Sequence, residues 1–292
     1  MDSSLLYVVL MSSIRMAIPL ILAATGGAFS VRAGITDLGS EGMMLAGASF
    51  GVLGSYLTGS RWIGLLFGMG FGIIFTLFHG VLHITFRVNP NISGVSMNLL
   101  ASAVAPLMLQ LVWHTKSFSV PVDSFRYLNY DWIRNIPIIG KALAEQNILF
   151  YLTILIVIVS WIYLYRTASG LRLRMVGENP VAASTVGINT VAYKYFGVIA
   201  CGAIAGMGGV YLSMGQLDTF VNGMTGGRGY IALVINSLGN SNPFLIVLGS
   251  IVFGFFEALQ TIIQNDSFPS QILRMLPYVV TLILITFGTQ KA

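Results

Sequence analysis

Long runs without Asp, Glu, Lys or Arg constrain the fold of this chain more than any other feature. Six of them span residues 62–86, 88–115, 148–165, 195–217, 229–256 and 275–290. A helix needs about 20 apolar residues to cross the hydrocarbon core, and helices satisfy their own backbone polar groups there. Only 9% of the residues are charged, whereas soluble domains carry about 25%. The sequence therefore predicts an all-α membrane protein, a polytopic helical bundle of about eight transmembrane helices.

No linker or low-complexity tract divides the chain, so we expect one transmembrane domain over residues 1–292. The segment 115–147 has mixed charge and two prolines, which predicts an extramembrane loop. The net charge is +5, but the basic residues lie at the ends of apolar segments. This placement indicates anchoring at the membrane interface and argues against nucleic-acid binding. Cys201 is the single cysteine, which excludes an intrachain disulfide.

The segment 166–194 is a polar island, RTASGLRLRMVGENPVAASTVGINTVAYK, between two apolar runs. Pro180 is a favourable first residue for a helix, Asn179 can cap it and Gly187 can end it. We therefore expect a helix of about two turns here, outside the bilayer.

The expected helix carries two adjacent small residues, Ala182 and Ala183. Small side chains permit close approach to a groove on a partner protein, and Gly187 lets the chain turn back toward the membrane. The alternative is an ordinary cytoplasmic loop with a helical turn, since short motifs also match by chance.

Glycine-rich breaks occur at two places in the apolar pattern, Gly34–Gly42 and Gly223–Gly229. Paired short, Gly-interrupted segments in the two halves of a transporter are the best sequence indication of its substrate site. Two re-entrant or tilted helices without ligand contact remain the alternative. Asp37 and Glu41 lie at the first break, and we expect both carboxylates to cap the start of a helix.

Small residues at intervals of four in 64–80 and 202–213 predict close helix packing in lipid. A different face is both small and polar, and it comprises Asn91, Gly94, Asn98, Ser102 and Ala105. Amides inside a membrane need partners, so this face meets other helices or a water-filled path. Amide, carboxylate and polarisable thioether groups suit a weakly binding conduit. We predict that the route is lined by Glu41, Met43, Met44, Asn91, Asn98 and Ser102.

Glu257 lies well within an apolar run, and an intramembrane carboxylate is a functional hypothesis by default. Its run holds no cation, so a proton relay is poorly supported and we expect Glu257 to be dispensable for energy coupling. His79 and His83 are four residues apart, but no glutamate or third ligand accompanies them, so we expect no metal site. The sequence also lacks a phosphate-binding loop and a Ser-His-Asp order, which argues against an enzyme.

Six stretches in chain order resemble the permeases of the branched-chain amino acid and ribose importers. They are residues 34–48, 89–101, 166–189, 202–215, 226–233 and 276–283. Within that family, the wording of 177–188, the run 220–229 and the ending PYVVTL are most similar to nucleoside-type permeases, for guanosine or purine nucleosides. The importer motif begins with glutamate before Ala-Ala, whereas this chain has Val181 there and Glu178 three residues earlier. A salt bridge from an initial glutamate is therefore not expected.

The resemblance implies a permease subunit of an ATP-driven ABC importer for nucleosides in the bacterial cell membrane. It implies a second permease, often a different chain, ATPase subunits that bind ATP and Mg²⁺, and an extracytoplasmic binding protein or lipoprotein. No cofactor is expected in this chain. The coupling helix that docks on the ATPase is carried over to Gly177, Glu178, Asn179, Pro180, Ala182, Ala183 and Gly187. Lys and Arg are equally frequent on both sides of crossing 148–165, so this motif alone places 166–194 in the cytoplasm.

Other functions remain open at this point. The cargo of the importer is alternatively a sugar or a branched-chain amino acid, since both are small polar molecules. A secondary transporter driven by an ion gradient through Glu257 explains the helices but leaves segment 166–194 without a purpose. A structural or assembly subunit predicts no polar faces that converge inside the bundle.

Overall fold

A computed structural model describes residues 3–125 and 146–263, with side chains for residues 7–125 and 146–261. The charge-free run 275–290 and most of the predicted loop 115–147 lie outside these ranges. The described helices are α1 (Ser3–Arg32), α2 (Ser40–Thr58), α3 (Arg61–Gly80), α4 (Pro90–Trp113), α5 (Ile148–Arg166), α6 (Ala168–Glu178), α7 (Pro180–Thr185), α8 (Thr190–Val210), α9 (Arg228–Leu238) and α10 (Pro243–Ile263). Helical turns of π type extend α3 to Thr85 and α8 to Gln216.

Six helices of the described ranges are long and apolar enough to cross a membrane. They are Tyr7–Arg32, Arg61–Thr85, Pro90–Trp113, Ile148–Arg166, Thr190–Gln216 and Pro243–Thr261. The predicted class, a helical membrane protein, is confirmed. Among the other described helices, α9 has only 11 residues and α2 is rich in glycine and serine. The count of about eight for the whole chain stays a prediction, since the apolar run 275–290 lies outside the described residues.

Helices α2, α3 and α8 pack through their glycines. A Cβ on Gly72 would overlap the carbonyl oxygen of Gly202, and a Cβ on Gly206 would lie 2.7 Å from that of Gly68. The small residues at intervals of four therefore bring backbones together, as predicted.

The long helices α1 and α8 lie antiparallel at the centre. Gly197, near the start of α8, packs on Phe29 near the end of α1, while Gly208 packs on Pro19. Each long helix is followed by a non-helical segment and then by a half-helix. We name residues 33–39, which lead into α2, the first break, and residues 217–227, which lead into α9, the second break.

The two half-helices begin side by side and run in opposite directions. Gly229 of α9 packs directly on the backbone of Ser40 and Glu41 at the start of α2. From there α2 runs alongside the second half of α8, whereas α9 ends beside Arg32, which donates a hydrogen bond to the carbonyl of Asn240. This inverted pair of broken helices is the arrangement in which transporters form a substrate site near the membrane midplane.

The two breaks contact different elements, which lie at opposite ends of the molecule. The first break contacts α6, because a Cβ on Gly34 would lie 3.0 Å from the Cα of Gly177. The second break pairs with residues 117–125 through backbone hydrogen bonds, such as Ser119 N–H to the Phe220 carbonyl at 2.9 Å. The start of α2 thus lies between elements anchored at both ends.

Candidate functional site

Asp37 closes the first break. Its side chain is 1% exposed. One carboxylate oxygen accepts from the backbone N–H of Gly39 at 3.2 Å. The other oxygen accepts from the Ser40 hydroxyl at 2.7 Å and the Cys201 thiol at 2.8 Å. The expectation that Asp37 caps the start of a helix agrees with this geometry, since it bonds the two residues at which α2 begins.

Glu41 lies in the first turn of α2 but caps a different helix. Its Oε1 accepts from the N–H of Gly227 at 2.9 Å, and its Oε2 accepts from the N–H of Gly229 at 2.8 Å. These N–H groups belong to the start of α9, where a helix leaves donors without intrahelical partners. Glu41 thus caps the start of a helix as expected, but the N–H groups that it binds are those of α9, because the start of α9 is within reach of the carboxylate.

Asn98 of α4 links both half-helices. Its side-chain oxygen accepts from the N–H of Gly42 at 2.8 Å. Its amide nitrogen donates to the Leu38 carbonyl at 2.8 Å and to the Tyr230 hydroxyl at 2.9 Å. The amide inside the membrane has thus found the partners it needs, and it fixes the relative position of α2, α4 and α9.

A cavity of about 290 Å³ opens beside these three residues. It is lined by Glu41, Gly42, Leu45, Val95, Asn98, Leu99, Ser102, Gly223, Thr225, Gly226 and Tyr230. Its size is near the lower end of that of small-molecule sites, and its wall combines apolar side chains with a few polar groups, as such sites do. The cavity reaches the exposed face of α4, where Leu99 is 66% exposed.

The structure brings together three of the six residues predicted to line the route, Glu41, Asn98 and Ser102. Asn91 is exposed at the first turn of α4, away from the cavity lining. Met43 and Met44 are 0% exposed within a core cluster. Their side chains do not reach the cavity, because the cavity face of α2 carries Glu41, Gly42 and Leu45, and positions 43 and 44 lie on the opposite face.

Sequence reasoning missed Thr225 and Tyr230 as wall residues. Both belong to the second break or to the start of α9, and the paired glycine-rich segments had indicated that region. The signal for Tyr230 was its position one residue after Gly229, at the start of a short Gly-bounded segment.

The predicted helix in the polar island is present as α7, with a polar cap at its start and a glycine of positive φ just after its end. The Asn179 side chain accepts from the N–H of Ala182 at 3.0 Å, Pro180 is the first helical residue, and Gly187 adopts a φ of +79° just beyond the end. α7 follows α6, a second helix that the sequence did not predict.

The two alanines of α7 lie on different sides. Ala182 is exposed, whereas Ala183 is 0% exposed and packs within this chain. The expectation that both meet a partner needs correction at Ala183. The outward face of α7 is centred instead on Val181, which is 73% exposed, and on Thr185, since both lie roughly opposite position 183 on a helix.

Glu257 has a cationic partner that its own apolar run does not supply. Arg228, at the start of α9, places Nη2 2.9 Å from Glu257 Oε1, and the two side chains are 18% and 15% exposed. Arg228 also donates to the carbonyl of Met224 at 3.0 Å. The carboxylate is therefore part of an ion pair that links α10 to the second break.

His79 and His83 use their Nδ1 atoms in separate hydrogen bonds, with the Ser93 hydroxyl at 2.8 Å and the Val88 carbonyl at 2.9 Å. Residues 3–125 and 146–263 hold no group of three His, Cys, Asp or Glu side chains placed to bind a metal ion.

A helical bundle with two inverted half-helices around a small cavity defines a membrane permease. The family model described as the branched-chain amino acid transport system/permease component matches residues 9–286. The chain belongs to this family, and it is a multi-pass protein of the bacterial plasma membrane.

Relatives match over most of their length. The nucleoside ABC transporter permease protein NupC of Lactococcus lactis is 35% identical over 94% of this chain and 90% of its own. The guanosine ABC transporter permease protein NupQ of Bacillus subtilis is 33% identical over 97% and 92%. The putative glucose ABC transporter permease protein TsgC13 of Haloferax volcanii is 34% identical over 88% of this chain and 78% of its own.

A solved structure shares the fold. PsaBC from Streptococcus pneumoniae, in complex with Fab, superposes with a TM-score of 0.53 at 13% identity, over 93% of this chain and 88% of the other. At this identity the likeness concerns the fold alone.

Proposed function

We propose that this chain is the nucleoside permease subunit of an ABC importer and that cargo passes through the cavity between α2, α4 and the second break. The observation that carries the proposal is the position of this cavity at the meeting point of two inverted half-helices, in a chain that is 35% and 33% identical to nucleoside and guanosine permeases. The glucose name of a third relative makes sugars the competing cargo.

The wall of the cavity suits an uncharged molecule with a flat apolar part. Val95 and Leu99 provide apolar surface beside the ring of Tyr230. The Tyr230 hydroxyl accepts from Asn98, so its own proton is available to a solute, and the Ser102 oxygen can also accept. Few free polar groups give weak binding, which allows cargo to leave as readily as it enters.

The partners follow from the class of transporter. A second permease, similar but often a different chain, would cover the exposed face of α4 and complete the path. ATPase subunits in the cytoplasm would bind ATP and Mg²⁺, and an external binding protein or lipoprotein would deliver the cargo. The α6–α7 end would face the ATPase, which places the 117–125 end outside.

Uptake by the assembled transporter tests the cargo. The complex, reconstituted with its ATPases and binding protein in vesicles, should accumulate labelled guanosine when ATP is supplied, and accumulate leucine, ribose and glucose far less. Dissipating proton and sodium gradients should leave uptake unchanged. Preferred uptake of a sugar or leucine would contradict the nucleoside proposal, and dependence on a gradient would favour a secondary transporter.

Docking of α7 is tested at its exposed face. Val181→Glu should reduce nucleoside-stimulated ATP hydrolysis at least about tenfold, because a charge would enter the apolar contact with the ATPase. The matched control is Val120→Glu, which places the same charge on an exposed valine at the opposite end of the molecule. Normal hydrolysis in Val181→Glu would show that α7 does not dock. Ala183 is unsuitable for this test, because its burial would confound docking with folding.

A further inference from the structure

The carboxylate of Glu41 occupies a position suited to an anion. The start of a helix carries about half a positive elementary charge and unpaired N–H donors, which makes it a binding site for phosphate and carboxylate groups. At the start of α9, two such donors, the N–H groups of Gly227 and Gly229, each bind one oxygen of Glu41. The chain thus supplies its own anion.

The start of α2 faces the same point. Gly229 lies against the backbone of Ser40 and Glu41, so the positive ends of both half-helices converge there. The N–H of Gly42, at the start of α2, is also bound, by the side-chain oxygen of Asn98 at 2.8 Å. These donors beside the cavity are therefore satisfied without a solute.

Arg228 lies in sequence between the two glycines that bind Glu41, but its ion pair is with another carboxylate. Arg228 directs its guanidinium toward Glu257 at 2.9 Å and toward the Met224 carbonyl. Among the described residues Glu41 forms no ion pair, and its carboxylate is bound by the N–H groups at the start of α9, so its negative charge lies in the wall of the cavity.

We propose that Glu41 is a specificity-determining residue that excludes anionic solutes from the cavity. A solute with a carboxylate or phosphate would meet a like charge in the cavity wall and would find the helix N-termini occupied. An uncharged nucleoside meets neither obstacle, whereas a nucleotide meets both. This inference rests on the proposed function, since it concerns the cargo of the same cavity.

A thiol probe in the cavity wall tests the charge directly. Ser102→Cys, in a Cys201→Ser background, places one cysteine in the wall of the assembled transporter. Its reaction rate is measured with the cationic reagent trimethylammonioethyl methanethiosulfonate and with the anionic reagent sulfonatoethyl methanethiosulfonate. The cation-to-anion rate ratio is normalised to that of Thr58→Cys, an exposed position at the far end of α2, about 25 Å along the helix from Glu41.

With Glu41 present, the normalised cation-to-anion ratio should be about ten. Glu41→Gln, which keeps the shape and removes the charge, should lower it about tenfold, and Glu41→Asp should retain most of it. An unchanged ratio in Glu41→Gln would overturn the proposal, as would a cysteine at position 102 that reacts with neither reagent.

Guanosine uptake by the same Glu41-containing vesicles separates the two hypotheses. Charge discrimination without guanosine uptake would support a barrier to anions and contradict the nucleoside cargo. Guanosine uptake without discrimination would leave the proposed function intact and refute the role of Glu41.

Discussion

Both breaks follow a long helix and lead into a half-helix, but they differ in their burial and in the carboxylate that binds them. The inner part of the first break is dry, because Asp37 is 1% exposed and binds donors from Gly39, Ser40 and Cys201. The second break borders the cavity, and three of its glycines have positive φ angles, Gly223, Gly226 and Gly227. Its carboxylate partner, Glu41, comes from the other half of the chain.

The difference assigns different mechanical roles to two similar segments. The first break is fixed within the core and contacts α6, whereas the second borders the cavity and contacts residues 117–125 at the opposite end. A cavity between a fixed wall and a more adaptable wall can change its access while the centre of the bundle stays intact. Substitutions in the first break should therefore affect stability most, and substitutions in the second should affect transport.

The largest expected effect on stability is at the contact between the first break and α6. A Cβ on Gly177 would overlap the carbonyl oxygen of Arg32. Gly177→Leu should lower the free energy of unfolding by more than about 3 kcal/mol, because backbone must move to admit the side chain. Thermal unfolding in detergent measures this. Gly70→Leu is the control, since a Cβ there meets nothing within 4 Å, and equal loss in both variants would contradict the tight contact.

The carboxylates of the two breaks give a direct comparison. Asp37→Ala removes the acceptor of the Gly39 N–H and the Cys201 thiol and leaves the Ser40 hydroxyl only the longer bond to the Asp37 backbone carbonyl at 3.4 Å, so it should cost about 3 kcal/mol of stability. Glu41→Ala should cost about 1 kcal/mol, as for loss of a helix cap, because water in the cavity can bind the freed N–H groups. Thermal unfolding of both variants provides the measurement. A larger loss for Glu41→Ala would show that water does not replace the carboxylate at these N–H groups.

Substitutions in the Arg228–Glu257 ion pair test whether its charges contribute only to the stability of the second break and not to transport. Glu257→Gln should lower the free energy of unfolding by about 2 kcal/mol. The double variant Glu257→Gln/Arg228→Gln should lose about 1 kcal/mol less than the sum of the losses of the two single variants. ATP-driven uptake per folded Glu257→Gln transporter should stay largely intact, as expected from the sequence. Loss of that uptake, or a new dependence on a proton gradient, would give Glu257 a part in energy coupling.

The smallest effect is expected for Cys201→Ser. The hydroxyl can donate to Asp37 as the thiol does, so stability should change by less than about 1 kcal/mol. Cys201→Val removes the donor at similar volume and should cost more, as measured by the same unfolding assay. Equal stability of the two variants would show that the thiol bond does not contribute to closing the first break.

Local features of the fold could be predicted from the sequence because helix starts and ends depend on nearby residues. Asn179, Pro180 and Gly187 delimit α7 as expected. The faces of the helices could not be predicted in the same way. Leu65 and Leu66 are chemically identical, yet one is 5% and the other 66% exposed, since lipid and protein interior are both apolar.

The candidate site could be predicted as a region but not as a set of contacts. The paired glycine-rich segments indicated where it lies, and Glu41, Asn98 and Ser102 were among the predicted residues. The partners of Glu41 and Glu257 were not predictable, because they come from the distant segment 227–229. The burial of Ala183 and the exposure of Ala182 likewise depend on how α7 packs.

The meeting of Gly34 with Gly177 has a consequence for how force passes through the molecule. At this point two stretches of main chain touch with no side chain between them. Side chains can absorb a small displacement by changing rotamer, but a peptide plane has no such freedom. A shift of α6 is therefore transmitted directly to residues 33–39, because no side chain lies between them to absorb it by changing rotamer.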